Sequence, residues 1–304
     1  MIRAPRGSGD YTNGARGNMI CLDGAHRRAF WLCTLLAIAG LTGCGTPPTY
    51  KNRPVSGSSP GTFALAHAKA VEEPRHAMRH LDDARSIVYT QLEGGGGLAV
   101  GLLFGPLGAA ANAGMIDSRT GLDAQRLKGK LTLEPRQLFL DAAIRQGLDV
   151  AGAGAAGQTG ATPYLHVSKA SNERLLTAAA VRLEQGAGAD QWSGLYMYQL
   201  PSSYTLDDLA QPTEEIQRRL SAEAARGFSE LAAFIAKEGQ PKDGSGKVAP
   251  EKEFTYISDL LTPRFEIEMR GRFIARSEDL VWFRTFDGVY AVRTSSIKIR
   301  SGRI

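Results

Sequence analysis

Cysteine is nearly missing from this chain. Its three cysteines are Cys21, Cys33 and Cys44, and none occurs in the 260 residues that follow. Whatever folds behind residue 44 therefore has no disulfide and no thiolate-ligated metal site. A basic surplus is missing too. The formal charge is +5, but residues 1–44 contribute five arginines against two aspartates, leaving 31 basic and 29 acidic side chains behind them. A nucleic-acid binder needs a dense basic face, which this balance does not suggest, so no nucleic-acid partner is expected. Histidine is scarce, with five in 304 residues. His76 and His80 have the spacing of a metal pair on one helix face, but Ala77 stands where a zinc-protease pattern needs Glu. A solvated helix edge is expected there, and no cofactor or metal. Gly57-Ser58-Ser59-Pro60-Gly61 has the form of a nucleophile elbow, without the preceding strand and following helix that the elbow requires. Paired carboxylates and triad spacing are also absent, so catalysis is not expected.

What the chain does have stands near its beginning. Arg27 and Arg28 precede the apolar run Ala29-Phe30-Trp31-Leu32-Cys33-Thr34-Leu35-Leu36-Ala37-Ile38-Ala39-Gly40, and Leu41-Thr42-Gly43-Cys44 follows. A basic stretch and an apolar stretch of this length have the form of an export signal and are short for a membrane span. The sequence Leu41-Thr42-Gly43-Cys44 resembles the lipobox of bacterial lipoproteins. The resemblance covers roughly residues 19–44. It implies cleavage between Gly43 and Cys44, a diacylglyceryl thioether on Cys44, and acylation of the new amino group. Acyl chains on Cys44 would then hold the mature protein on a membrane. Met19 gives a more usual leader than Met1, so 1–43 is expected to be a signal peptide with its true start at Met19. Position 45 is Gly, not the Asp that in Gram-negative lipoproteins resembles an inner-membrane retention signal. This points to the periplasmic face of the outer membrane.

Residues 44–62 are rich in Pro, Gly and Ser and read as the lipidated tether. Residues 63–85 read as partly helical, and Ser86 to Leu92 as a buried strand. Gly94 to Ile116 is 23 residues without a charge, and Gly97, Gly101, Gly105, Ala109 and Ala113 recur in it every fourth residue. Such a ladder lets helices approach backbone to backbone. Gly97, Gly101 and Gly105 are candidate packing positions. Four consecutive glycines and Pro106 weaken a membrane-spanning helix, so a Gly-rich turn and a buried helix are expected.

Residues 117–131 are polar and mixed. A helix is expected from Leu133 to Gln146, then a short strand over 164–167 with His166 at a sheet edge. A hairpin should follow, built from 174–184 and 192–200 and stopped by Pro201 and Ser202. Trp192, Tyr196 and Tyr198 lie at strand spacing, as core residues or as the lining of a ligand groove. Thr213 to Glu238 has the clearest helical stripe: Ile216, Leu220, Ala224, Phe228, Leu231 and Ile235, with Thr213 as cap. Residues 240–251 read as a linker. Beyond them lie short alternating strands, with a break at Gly271 and a hairpin signal at Asp287-Gly288.

The expected fold class is α+β: a mixed or antiparallel sheet covered by helices over 63–239, then a small all-β module over 252–304. At the level of pattern this module resembles an SH3-like barrel. The expected function is a non-enzymatic envelope adaptor or assembly subunit with a protein partner. A lipid- or small-ligand-binding auxiliary lipoprotein of a transport system is the first rival, and an envelope hydrolase the second.

Overall fold

Leu175-Leu176-Thr177-Ala178-Ala179-Ala180-Val181 is an uninterrupted buried run. Strands of this kind bury both faces, and here both faces are covered. The computed structural model describes residues 50, 52–54, 62–66, 77–82, 85–91, 118–151, 158–186, 191–238, 252–264, 267–277 and 279–302. The leader, Gly43 and Cys44, and Gly97, Gly101 and Gly105 all lie outside the described residues.

The strands are β1 (Thr62–Leu65), β2 (Ala77–Asp82), β3 (Ile87–Gln91), β4 (Asp149–Ala151), β5 (Thr159–Lys169), β6 (Leu175–Gln185), β7 (Trp192–Tyr204), β8 (Glu253–Ser258), β9 (Met269–Arg276), β10 (Leu280–Arg284), β11 (Gly288–Arg293) and β12 (Ile297–Ser301). The helices are α1 (118–127), α2 (Pro135–Arg145), the short α3 (Leu206–Ala210) and α4 (Glu214–Glu238). The described strands form one mixed sheet in the order β12-β8-β9-β10-β11-β7-β6-β5-β1-β4. The sheet forks at β5, where β1 pairs with its first part and β3 with its second. Pro163 sits at the fork, between Ala161 and Leu165, where neither strand pairs with it.

One sheet face carries Phe63, Tyr89, Leu165, Ala179, Val181, Tyr196, Tyr198 and Leu200. It packs under the helices through Leu127, Phe139, Phe228, Leu231 and Ile235. The other carries Val88, Tyr164, Leu176, Ala178, Ala180 and Met197, and is covered by Phe254, Tyr256, Leu260, Phe283, Tyr290 and Ile297. The C-terminal strands thus continue the sheet and curl back over it. β11 runs parallel to β7 from Gly288↔Leu195 to Ala291↔Tyr198. Ser168 Oγ donates to the Leu260 carbonyl at 3.1 Å, and Gln199 Nε2 to Ser296 Oγ at 2.8 Å. Residues Thr49–Ile304 form one compact unit. Within it β8–β12 are antiparallel in the order β12-β8-β9-β10-β11, and the 3-10 turn Thr294–Ser296 returns the chain from β11 to β12.

α2 and α4 form where the apolar period placed them. Pro135 occupies the first turn of α2, and Thr213 Oγ1 accepts the Ile216 N–H at the start of α4. Other expectations are corrected. Residues 62–65 and 77–82 are strands where a partial helix was expected, because β2 finds a partner in β3. Residues 118–127 form a helix whose Thr120, Ala124 and Leu127 are buried at helical spacing. β7 runs through Pro201 to Tyr204: the β6–β7 register slips between Ala178 and Leu176, and an irregular ladder tolerates a residue with no N–H. Gly271 does not break a strand but lies inside β9. A Cβ there would press on Tyr256, Phe283 and Phe254 at 3.1–3.3 Å. His166 is on a central strand, buried between β3 and β6, not at an edge.

Candidate functional site

Two side chains of the Pro- and Gly-rich segment 44–62 are packed onto the fold. The Arg53 guanidinium lies over the Phe63 ring, 4.9 Å from its centroid, and donates to the Ile235 carbonyl at 3.4 Å. The Arg272 guanidinium lies 4.1 Å from the Tyr50 ring centroid. Arg53 reaches the last turn of α4, where the helix leaves carbonyls without internal partners. It is 7% exposed, and burial pulls its guanidinium below the usual arginine range.

Beside it, Glu238 closes α4. Its carboxylate accepts the Tyr196 hydroxyl of β7 at 2.5 Å and Arg284 Nη2 of β10 at 2.6 Å. The Glu238 and Arg284 side chains are 12% and 7% exposed. Burial first, then the Glu238 charge, push the Tyr196 hydroxyl well above the usual tyrosine range. Tyr196 therefore keeps its proton and donates it to the Glu238 carboxylate. Each carboxylate oxygen thus holds one partner, a phenol on one and a guanidinium on the other. This cluster joins the N-terminal segment, the end of α4, β7 and β10 at one place.

The expected aromatic residues lie here as well, but they line no groove. Tyr196 and Tyr198 are 1% and 2% exposed. Tyr196 packs on Phe234, Tyr198 on Trp282, and Phe234 stacks on Trp282 with centroids 5.0 Å apart. Trp192 is half-buried against the same core, with its ring under Gly194. A filled core occupies the place of a groove.

A second polar group joins β3, α1 and β5. Asp123 accepts the Tyr89 hydroxyl at 3.1 Å and pairs with Lys169. Burial, then the Asp123 charge, raise Tyr89 far above its ordinary value. A depression of about 420 Å³ lies between the β5–β6 turn and α3. Of its polar groups, Thr205 and Asp208 form a reciprocal helix cap, and Arg174 pairs with Asp259. Among the described residues, no three His, Cys, Asp or Glu side chains are grouped to hold a metal, and no helix is long and apolar enough to cross a membrane. His80 is half-buried on β2 opposite Val88, while His76 and the residues 57–61 lie outside the described residues.

Sequence reasoning missed Arg53, Glu238 and Arg284 as a group. The one local signal was an aromatic and an arginine within a segment otherwise poor in large side chains; the pairing spans 182 positions. No family model matches the chain, and no curated protein or solved structure matches it either.

Proposed function

We propose that this protein is a lipoprotein anchored through Cys44 to the periplasmic face of the outer membrane, acting as a non-enzymatic adaptor in an envelope complex. The observation that carries the reading is the docking of Tyr50 and Arg53. They stand six and nine residues beyond Cys44. A chain extends at most about 3.6 Å per residue, so Tyr50 stays within about 20 Å of the acylated residue. Such a tether presents a folded body at a membrane in a restricted orientation, which suits an assembly subunit. The filled aromatic core around Tyr196 and Tyr198 gives no support to ligand carriage. The strand order β12-β8-β9-β10-β11, with a 3-10 turn before the last strand, supports an SH3-like arrangement for residues 252–304. Small barrels of that kind serve many functions, so the likeness adds an architecture and no partner.

Intact-mass analysis of the mature protein tests the anchor. The expected product begins at Cys44 and carries a diacylglyceryl and an N-acyl group; an unmodified Cys44 in the exported protein overturns the reading. Fractionation tests the sorting of Gly45, with intact protein expected in outer-membrane fractions. In-cell crosslinking through a C-terminal tag is expected to capture a defined envelope protein. Hydrolysis of an envelope substrate by the purified protein, lost with a single side chain, would overturn the adaptor role.

A further inference from the structure

The basic side chains of this nearly neutral protein are not spread evenly. Along α4, five acidic residues stand among four basic ones. In β8, β9 and β12 together, five basic residues stand against one acidic residue, Glu253. Their direction follows from the pleat. Tyr256, Gly271 and Ile299 face the curled core, so their strand neighbours face outward. Arg270, paired across the ladder with Thr255, and Lys298, paired with Ile257, both point away from that core. Arg300 stands at the irregularity between Ile299 and Ser301 and is exposed. Among the described residues, Arg270, Lys298 and Arg300 make no ion pair. Arg272 is the outward neighbour of Arg270 on β9. It shares Glu253 at 3.4 Å and carries the Tyr50 ring. The docked N-terminal segment therefore reaches the fold on this basic face.

We infer that the outward face of β8, β9 and β12 is a second membrane contact, which takes the anionic headgroups of a phospholipid bilayer. The inference rests on the lipoprotein reading in one respect, namely that the acylated Cys44 lies six residues before Tyr50. An anchor on so short a leash holds the Arg272 face within about 20 Å of the headgroups. Clustered arginine and lysine near an anionic surface each add attraction that salt screens. One lipid signal and one basic signal together make a firmer attachment than either alone. An acidic protein would also complement this charge, but the tether favours the bilayer, because it ends on this face.

The test uses residues 49–304, the compact unit without Cys44, so its outcome does not depend on acylation. Vesicles of phosphatidylcholine containing about one-third phosphatidylglycerol are compared with pure phosphatidylcholine by sedimentation. Binding is expected to the anionic vesicles alone, and to be lost at about 0.5 M salt. The combined variant Arg270→Glu, Lys298→Glu, Arg300→Glu should bind at least about tenfold more weakly with an unchanged melting temperature. The control Lys128→Glu, Lys130→Glu, Arg136→Glu, in the turn after α1 and on α2, should bind as the parent does. Equal binding to both vesicle types, no binding, or equal loss in the control overturns the inference. So does a variant that abolishes crosslinking to an acidic envelope protein while vesicle binding was never present. Failure of the lipoprotein reading appears elsewhere, as an unmodified Cys44 by mass.

Discussion

Glu238 has two partners and little water, which makes its removal expensive. Breaking a buried pair from one side leaves the other charge stranded, at a typical cost of about 3–5 kcal/mol. Glu238→Ala takes the carboxylate away from the buried Arg284 guanidinium and frees the Tyr196 hydroxyl, so urea unfolding should show a loss of about 3 kcal/mol. Tyr196→Phe removes one hydrogen bond and should cost about 1 kcal/mol. If Glu238→Ala unfolds at the parent's midpoint, the cluster is not a clamp. The tyrosines also set a pH limit. Tyr89, Tyr196, Tyr256 and Tyr290 are all raised, each first by burial and then by a carboxylate: Asp123, Glu238, Asp287 and Asp287 in turn. An unfolded tyrosine ionises near pH 10. Below that pH both states hold the phenolic protons and this stability is fully present. Above it the unfolded state releases them and the folded state does not, so stability falls as pH rises. Melting temperature should be flat from neutral pH to about pH 9 and drop steeply beyond about pH 10. Tyr196→Phe should soften that drop.

Two glycines decide how closely elements approach. A Cβ on Gly288 would fall on the carbonyl of Leu195, in the parallel pairing of β11 with β7. Backbone cannot yield as a side-chain tip can, so Gly288→Ala should cost more than about 2 kcal/mol. A Cβ on Gly227 of α4 would meet Leu200 Cδ2 at 2.9 Å and the Ala179 methyl at 3.0 Å. Gly227→Ala is an overpacking change of about 1–3 kcal/mol, partly offset by its better helix propensity. Gly288→Ala should therefore be the more damaging of the two in thermal unfolding, and the reverse order would show that β11 can slide on β7. These elements also explain what the sequence disclosed. The α4 stripe was legible because one face repeats every three or four residues over 25 positions. The β5–β7 core was legible through its apolar runs. Strands β1 and β2 were not, because a strand of four or six residues is defined by its partner, and β1 finds partners in β4 and β5, 87 to 96 positions away. Gly271 read as a breaker because nothing local announces three aromatic rings converging on it. The site at Arg53, Glu238 and Arg284 was illegible for the same reason: each member is an ordinary charged residue until the fold brings the three together.

The whole molecule answers a question that the linker expected from the sequence at 240–251 raises, whether the C-terminal strands are an appendage. β11 is hydrogen-bonded to β7, and β8, β10 and β12 cover the second face of β5–β7. Arg284 pairs with Glu238, Arg174 with Asp259, and Arg293 takes the side-chain and main-chain oxygens of Gln199. Removing residues 252–304 would therefore expose Leu176, Tyr164 and Met197 and leave β7 with an open edge. Bare apolar sheet with an unpaired edge is a template for aggregation. Residues 49–251 alone should bind a hydrophobic dye, lose a cooperative melt and associate, whereas 49–304 should melt in a single transition by circular dichroism and by tryptophan fluorescence. Trp192 on β7 and Trp282 on β10 report on the sheet while α4 dominates the helical signal, so the two probes follow different parts of the chain. Two separate transitions, or a monomeric 49–251 as stable as the longer chain, would mean that the second core forms after the first and contributes little to it. A single transition means that the cluster of Arg53, Glu238 and Arg284 and the basic face are held by the same cooperative fold.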